Sequence, residues 1–535
     1  MKTVAQGHAK VLSKAIDYQS DPLALYASIC QVGDKAHTML LDSAEIDSKL
    51  HTKSLMLIDA ALRFECNGRQ VTVNALSANG QSVLPFIQQE LARKAVISGD
   101  NKCLTATFEM PQNGLDEESR LKANSPFDAL RSVVDSIQTE SDEPNAVFLG
   151  GVFAYDMIAS IEDLPQVPDG ENSCPDFVFY LAETLLHIDH VQQQSHLVAS
   201  IFGGEFAQSV ELGMSQRIAQ IKTLASDATL HYASSGQQST NNDVAVSMDD
   251  TTFRNHVDAL KHNIFIGDIF QVVPSRTFSL ACPDSLLAYQ ALRISNPSPY
   301  MFFMHDADFT LFGASPECAV KFDSDSRDVE VYPIAGTRRR GFNEDGSINA
   351  DLDGRIELEL RLDKKELSEH LMLVDLARND VARISEPGTR HIADLLKVDR
   401  YSHVMHLVSR VVGKLRQDLD ALYAYQACMN MGTLTGAPKI RASQLIRSVE
   451  QERRGSYGGA VGYINGTGSM DTCIVIRSAF VKNQVAHVQA GAGVVYDSDP
   501  QSEADETRSK AQAVINAIRH ANQQISNHEG AQTHE

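Results

Sequence analysis

Tryptophan is absent from all 535 residues, although a chain of this length would by chance hold several. The absence excludes nothing by itself, but it suits a protein that must be made while tryptophan is scarce. Long apolar runs are missing too: none approaches the ~18 residues of a membrane-crossing helix, so no membrane association is expected. The first twenty residues, MKTVAQGHAKVLSKAIDYQS, lack the apolar stretch of a secretion signal, and the expectation is a soluble, cytoplasmic protein. Positive charge is short, with 47 Lys and Arg against 69 Asp and Glu, a net charge of −22. A field of that sign repels nucleic acid and anionic membrane, so neither is an expected partner. An anionic substrate would need a local cation. The eight cysteines show no Cys-x-x-Cys or other ligand-like spacing and read as buried or idle thiols in a reducing compartment. No Gly-x-Cys-x-Gly elbow occurs, so any nitrogen taken from an amide must be released by a second protein.

The 43% apolar fraction suits a chain with a sizeable core. From about 35 to 205 short apolar strands alternate with polar turns, as in HTMLLDS and DFVFYLAETLLHID, and a helical segment runs from Phe206 to about Ala228. The stretch 232–250, YASSGQQSTNNDVAVSMDD, is rich in Ser, Gln, Asn and Asp and reads as a linker. Strands and helices alternate again from 251 to about 520, and no repeat of fixed period appears. The expectation is an α+β chain with an N-terminal domain (1–231), a linker (232–250), a catalytic domain (251–520) and a disordered tail (521–535).

Two helical segments carry paired carboxylates. DKKELSEHLMLVDLARND (363–380) holds Glu366 and Glu369, and PQSEADETRSKAQAVINAI (500–518) holds Glu503 and Glu506, with Lys510 one turn on. Residues three apart share a helix face, so each pair can aim at one point. Such a pair is ordinarily a solvated acidic face. Here Leu367, Leu371 and Val374 form an apolar stripe beside the first pair, and the pattern recurs on a second helix directly after a glycine-rich strand. Hard oxygen ligands, one or two per site with water or substrate completing the shell, are what Mg²⁺ prefers.

The glycine-rich strand VAHVQAGAGVVYDSDP contains Gly491, Ala492 and Gly493, whose backbone amides can approach an anion closely. The helix N-terminus near Ser502 follows, with a dipole that favours the same charge. YPIAGTRRRG (332–341) reads as a loop near a substrate, containing Gly336 and Thr337 before three arginines. YSHVMHLVSRVVG (401–413) reads as a strand; His403 and His406, three apart, face opposite sides of it, and a lone histidine there is ordinarily structural. MGTLTGAPKIRASQLI (431–446) has helix-start chemistry: Thr435 as cap, Pro438 in the first turn, and Ile440, Leu445 and Ile446 as the apolar face, leaving Thr433 in the loop before it. SYGGAVGYI and DTCIVIRSAFV read as buried strands, where Arg477 demands a carboxylate partner or a ligand.

The strings PIAGTR, ELSEHLMLVDLARND, GTLTGAPK, SYGGAVGY, QAGAGVV and SEADETR together resemble the chorismate-binding enzymes, and most closely their anthranilate-forming large components. LLDSAEIDSK, GGVFAYDM and EDLP extend the resemblance into the N-terminal part. It implies the chorismate-utilising fold, antiparallel sheets packed as a sandwich with flanking helices. It also implies a lyase that adds ammonia to chorismate and eliminates pyruvate to leave anthranilate. The implied Mg²⁺ ligands are Glu369 and Glu506, with Glu366 and Glu503 adjoining. Glu317 would protonate the departing hydroxyl and His406 would serve the elimination, with Thr433 nearby. Gly336, Thr337, Tyr457, Arg477, Gly491, Ala492, Gly493 and Lys510 would hold the substrate. The family's tryptophan site corresponds to Ser43, Lys53, Pro299, Tyr300 and Met301; the usual Leu-Leu-Glu-Ser reads Leu-Leu-Asp-Ser at 40–43, with a shorter side chain before Ser43. The implied partner is a glutamine amidotransferase subunit in a hetero-oligomer.

Two positions separate the family's branches. Aminodeoxychorismate-forming members carry a nucleophilic lysine where this chain has Ala335, and members that add water carry a basic lysine where it has Gln271. Both favour anthranilate over the alternative product aminodeoxychorismate. A catalytically dead tryptophan sensor is the alternative of another class, and the intact Glu pairs and His406 argue against it.

Overall fold

The structure, a computed structural model, describes residues 4–30, 35–44, 51–111, 114–226, 243–401 and 404–532. Period-two alternation builds its centre. In the strands Thr38–Ala44, His51–Asn67 and Tyr300–His305 successive side chains go to opposite faces. Met39, Leu55, Leu57, Phe302 and Met304 enter one apolar core together with Phe148, Val461 and Phe480. Leu40, Met56, Met301 and Phe303 enter another on the opposite face, closed by the helices Ala207–Ser226, Ser285–Ser295 and Pro500–Gln532. Among the described residues 23 strands join one hydrogen-bonded system, antiparallel except where His8–Ile16 meets Gln138–Thr139. This is the antiparallel, helix-flanked α+β architecture that the sequence implied.

The halves of the chain are interleaved in that sheet. Thr38–Ala44 lies between His51–Asn67 and Tyr300–His305, and Phe148–Phe153 pairs with Ala460–Asn465. The expected boundary between 1–231 and 251–520 is therefore not a boundary in the sheet. Of the expected linker, 232–242 lies outside the described residues, while Ala245–Val246 already pairs with the strand Ser275–Ala281 and the helix Asp250–Phe265 begins at its end.

The last helix corrects the expected tail. Pro500–Gln532 runs past 520, and Ala511, Val514, Ile515, Ile518, Ala521 and Ile525 are buried at three- and four-residue spacing. The polar residues between them hid that stripe; 533–535 lie outside the described residues. No described helix is long and apolar enough to cross a membrane. All eight cysteines are free thiols.

Candidate functional site

The first acidic pair stands on the helix Lys364–Ala382, whose N-terminus is capped by Asp363 accepting from the amides of Lys365 and Glu366. Its buried face is His370, Leu373, Val374 and Ala377; Leu371, expected in the apolar stripe, is 47% exposed. His370 fastens this face to the strand Val404–Lys414 through a 2.7 Å hydrogen bond between its Nε2 and Ser409 Oγ. The two carboxylates therefore sit at the margin of the packed face. Glu366 holds Arg338 at 2.7 Å. Among the described residues Glu369 Oε1 is buried without a hydrogen-bond partner, with the Lys365 ammonium 3.9 Å away. Burial pushes the Glu369 carboxyl up to about 7, and the charges of Glu366, Glu503 and Glu506 push the same way against Lys365.

The second pair comes from the start of Pro500–Gln532. Glu503 is buried beside Ser498, and Glu506 pairs with Lys510 at 2.7 Å. Lys510 also donates to the Gly491 carbonyl at 3.0 Å. The helix N-terminus is not open for an anion, because Asp499 accepts from the Ser502 amide at 2.8 Å. All four carboxylates thus face one region. Among the described residues no three His, Cys, Asp or Glu side chains converge tightly enough to enclose a metal ion by themselves. A buried oxygen short of hydrogen bonds among like charges fits a cation that takes one or two carboxylates and fills its shell with water and substrate, which is how Mg²⁺ binds.

PIAGTRRRG forms a strand, Ile334–Arg339, and not the expected loop. Arg338 is tied to Asp363 and Glu366, and Arg340 to Asp353, so these two arginines are structural. Gly336 sits at φ +83°, where a Cβ would stand 3.2 Å from Glu366 Oε2; only glycine suits that bulge. Register with Val404–Lys414 then sets Thr337 opposite His406, with Thr337 Oγ1 2.8 Å from His406 Nδ1. Among the described residues His406 Nε2 is buried without a hydrogen-bond partner, and burial, with the Arg477 charge behind it, depresses the imidazole to about 3. The ring is neutral, edge-on to Tyr401. His403 lies outside the described residues.

Glu317 is 6% exposed, and burial pushes its carboxyl up to about 8 against the opposing pull of Thr433, the Ile334 amide, Lys510 and Arg477. It is therefore protonated at neutral pH. A cleft beside it is lined by Thr433, Leu373, Leu376 and Asp380. Thr433 belongs to a single turn, Gly432–Thr435, and the next helix is Lys439–Glu450 with Pro438 at its N-cap and no side-chain cap bond. Thr435 is therefore not the cap. Ile440 is 40% exposed while Leu445 and Ile446 are buried, so the expected apolar face holds only for the latter two.

Arg477 is not within a strand. It occupies a turn at φ 50° between Met470–Ile474 and Ser478–Lys482. Among the described residues its guanidinium has no ion pair, and burial depresses its pKa although Tyr401, Tyr457, Glu317 and Glu506 face it. A buried guanidinium in this position suits an anionic ligand. The glycine segment is partly committed: the Ala492 amide, expected to donate to a ligand, donates instead to the Pro274 carbonyl at 3.1 Å. A Cβ on Gly493 would stand 2.8 Å from Gln271 Nε2, and one on Gly491 3.0 Å from the Tyr457 hydroxyl. The glycines bring Tyr457 and Gln271 against this strand end.

At the other end of the sheet, Ser43, Lys53 and Tyr300 are in register and share a face. Met301 is opposite Asp42 on the helix side, and its side chain is spent in the core. Asp42 likewise points away from Ser43 and faces Arg293, so the shortened side chain does not reach the Ser43 face. Pro299 is buried just ahead of the strand. The sequence missed Tyr463 and Asp471, which complete this face through Lys53 Nζ–Tyr463 Oη (3.3 Å) and Tyr300 Oη–Asp471 Oδ1 (3.1 Å). The only sequence signal was an aspartate in an apolar strand.

The profile of the chorismate binding enzymes matches residues 94–516. Anthranilate synthase component 1 of Vibrio cholerae is 58% identical over 514 residues, 96% of this chain and 97% of that one. The structure of anthranilate synthase component I from Streptococcus pneumoniae superposes with a TM-score of 0.67 at 30% identity, covering 87% of this chain and 92% of that one. The menaquinone-specific isochorismate synthase of Escherichia coli shares the fold, with a TM-score of 0.65 at 16% identity over 97% of this chain and 96% of its own.

Proposed function

The chain belongs to the family of chorismate-binding enzymes, and from that premise we propose that it is the large component of an anthranilate synthase, acting in the cytoplasm at the head of tryptophan synthesis. The observation that carries the reading is Glu317, a buried carboxyl held protonated at neutral pH beside Thr433 and facing Arg477, which has no ion pair among the described residues. Ammonia adds at C2 of chorismate as the C4–O bond breaks. The hydroxyl leaves with the Glu317 proton as water, and the new nitrogen sheds one proton to solvent. The C2 proton is then removed as the C3–O bond to the enolpyruvyl group breaks, and the released enolate takes up one proton at its methylene carbon, giving anthranilate and pyruvate.

His406 suits that second step because its ring is neutral and Nε2 has no hydrogen-bond partner among the described residues. Two substrate carboxylates arriving nearby raise its basicity. Arg477 and Lys510 receive those carboxylates. Glu369 and Glu506, with Glu366 and Glu503 adjoining, would hold Mg²⁺, which when bound supplies positive charge to the ring carboxylate. Ala335 has no amine for a covalent adduct, and Gln271 cannot deprotonate water, which supports ammonia over water as nucleophile.

The purified chain with chorismate, Mg²⁺ and ammonium at alkaline pH is expected to form anthranilate, and none when glutamine replaces ammonium. In a tryptophan-free chain the fluorescence of the product is read without interference. Glutamine-dependent turnover in the absence of any second protein would refute the need for an amidotransferase partner.

The face built by Ser43, Lys53 and Tyr300 is the proposed tryptophan site, acting through different affinity for active and inactive states. Ser43 Oγ lies 3.0 Å from Thr52 Oγ1 and 3.2 Å from the Lys53 carbonyl, leaving no space for a ring of its own. Ser43→Phe is therefore expected to raise the half-inhibiting tryptophan concentration about 10- to 100-fold, the ~1–3 kcal/mol of an overpacked site. Uninhibited turnover should stay near wild type. An unchanged inhibition curve would remove the site from this face.

A further inference from the structure

One buried ion pair lies behind the substrate wall, and neither the sequence motifs nor the chemistry above accounts for it. Arg454 and Glu450 have side chains 1% and 3% exposed and pair across the end of the helix Lys439–Glu450, Arg454 lying in the loop that follows it. A buried pair of this kind is a poor source of stability, because desolvation offsets its attraction, so net stabilisation does not account for it. The bonds it makes show what it holds. Arg454 Nε and Nη2 donate to the two Glu450 oxygens at 2.9 and 2.5 Å. Its remaining bonds go to two backbone carbonyls, Leu434 at 2.8 Å and Val273 at 2.5 Å. Glu450 Oε1 in turn accepts from the Ser275 amide at 2.7 Å and hydroxyl at 2.9 Å. The guanidinium carbon lies 4.7 Å from the Tyr155 ring centre and 5.6 Å from that of Tyr457.

Each of these anchors adjoins the site. Leu434 follows Thr433, which faces Glu317. Val273 is two residues from Gln271, and its amide donates to the Thr435 carbonyl at 3.1 Å. Ser275 is in register with Gly491, and Tyr457 reaches the Gly491 backbone with its hydroxyl. Three chain segments distant in sequence, at Tyr155, Val273–Ser275 and Leu434, thus converge on one planar cation.

We infer that Arg454, neutralised by Glu450, is a positioning residue that fixes the Thr433 turn, the Gln271 strand and the Tyr457 ring as one rigid wall of the substrate site. The inference rests on the proposed chorismate site, and concerns residues that do not touch the substrate. A guanidinium is required because its flat fork serves the carboxylate and both carbonyls at once, which an ammonium on a flexible stem cannot do.

The test is Arg454→Lys, which keeps the buried charge, with Glu450→Gln as the second variant. The expected result for Arg454→Lys is a fall in kcat/KM for chorismate of about 10- to 100-fold, the effect of a sub-ångström to ångström displacement at a reacting centre. Most of it should lie in kcat, because Thr433 and Glu317 lose alignment. The pH limb belonging to Glu317 should also move upward, since Thr433 no longer assists its ionisation, while Ile334, Lys510, Arg477 and Tyr401 still surround it. Glu450→Gln keeps an acceptor for Ser275 and should show a smaller loss of the same kind.

Folding is followed by the near-ultraviolet dichroism of the tyrosines. A variant whose folded fraction retains wild-type kcat, KM and pH limb overturns the inference. Collapse of both variants overturns it as well, by making the pair purely structural. Chorismate consumption measures the positioning effect whatever the product, and product identity in the wild type measures the proposed function, so the two fail separately.

Discussion

Glu369→Gln is expected to abolish Mg²⁺-dependent turnover, a loss of several kcal/mol of charge stabilisation or ~10³-fold in rate, and to leave the chain folded. The charge removed is one the metal-free protein holds at a cost. Burial and the neighbouring Glu366, Glu503 and Glu506 keep this carboxyl near 7, above its ordinary 4.5. The folded state therefore binds the proton more tightly than the unfolded chain, and stability falls as pH rises between those two values. Above about 7 the loss is complete. Glutamine never ionises, so at pH about 8 the metal-free variant should melt no lower than wild type. Added Mg²⁺ should raise the wild-type melting temperature and not that of the variant. Wild-type Mg²⁺ dependence in the variant, in melting or in rate, would dismiss the paired-carboxylate site.

Glu317→Gln is the second large effect. A neutral amide replaces a neutral acid of nearly the same shape, so the fold should persist while the transferable proton is lost. General acid catalysis contributes about 10²–10⁴-fold, and kcat should fall by that much. In the wild type the proton is present below about 8 and absent above it. Rates normalised to free ammonia should therefore be flat below that pH and fall above it. A variant with wild-type kcat, or a wild-type profile flat through that pH, would place the acid elsewhere.

The elements that carry chemistry were legible because their patterns are local. Glu366 and Glu369 are three apart on a helix, and alternation around His406 marks a strand; the structure returns both. What stayed hidden depends on partners distant in the chain. Leu371 reads as core and is exposed, because the neighbour that Lys364–Ala382 packs against is chosen by His370 and its bond to Ser409. The arginines after Thr337 read as a basic loop, yet Asp363 and Glu366 neutralise Arg338 on a strand and Asp353 neutralises Arg340 just past its end. Thr435 reads as a helix cap, but the chain turns once at Gly432–Thr435 and starts the helix afresh at Lys439. Tyr463 lies 410 residues from Lys53, whose ammonium it meets. No periodicity spans such a distance.

The interleaving of Thr38–Ala44 between His51–Asn67 and Tyr300–His305 bears on heredity as well as on folding. A gene fragment beginning near residue 251 would expose one long side of Tyr300–His305 and one of Ala460–Asn465, each normally covered by an N-terminal strand. Bare strand edges invite pairing with other chains, so such a fragment should precipitate sooner than work. The catalytic half therefore cannot escape the proposed tryptophan control by deletion. Populations under selection to overproduce tryptophan are left with single substitutions, and these should gather on the face where Ser43, Lys53 and Tyr300 meet.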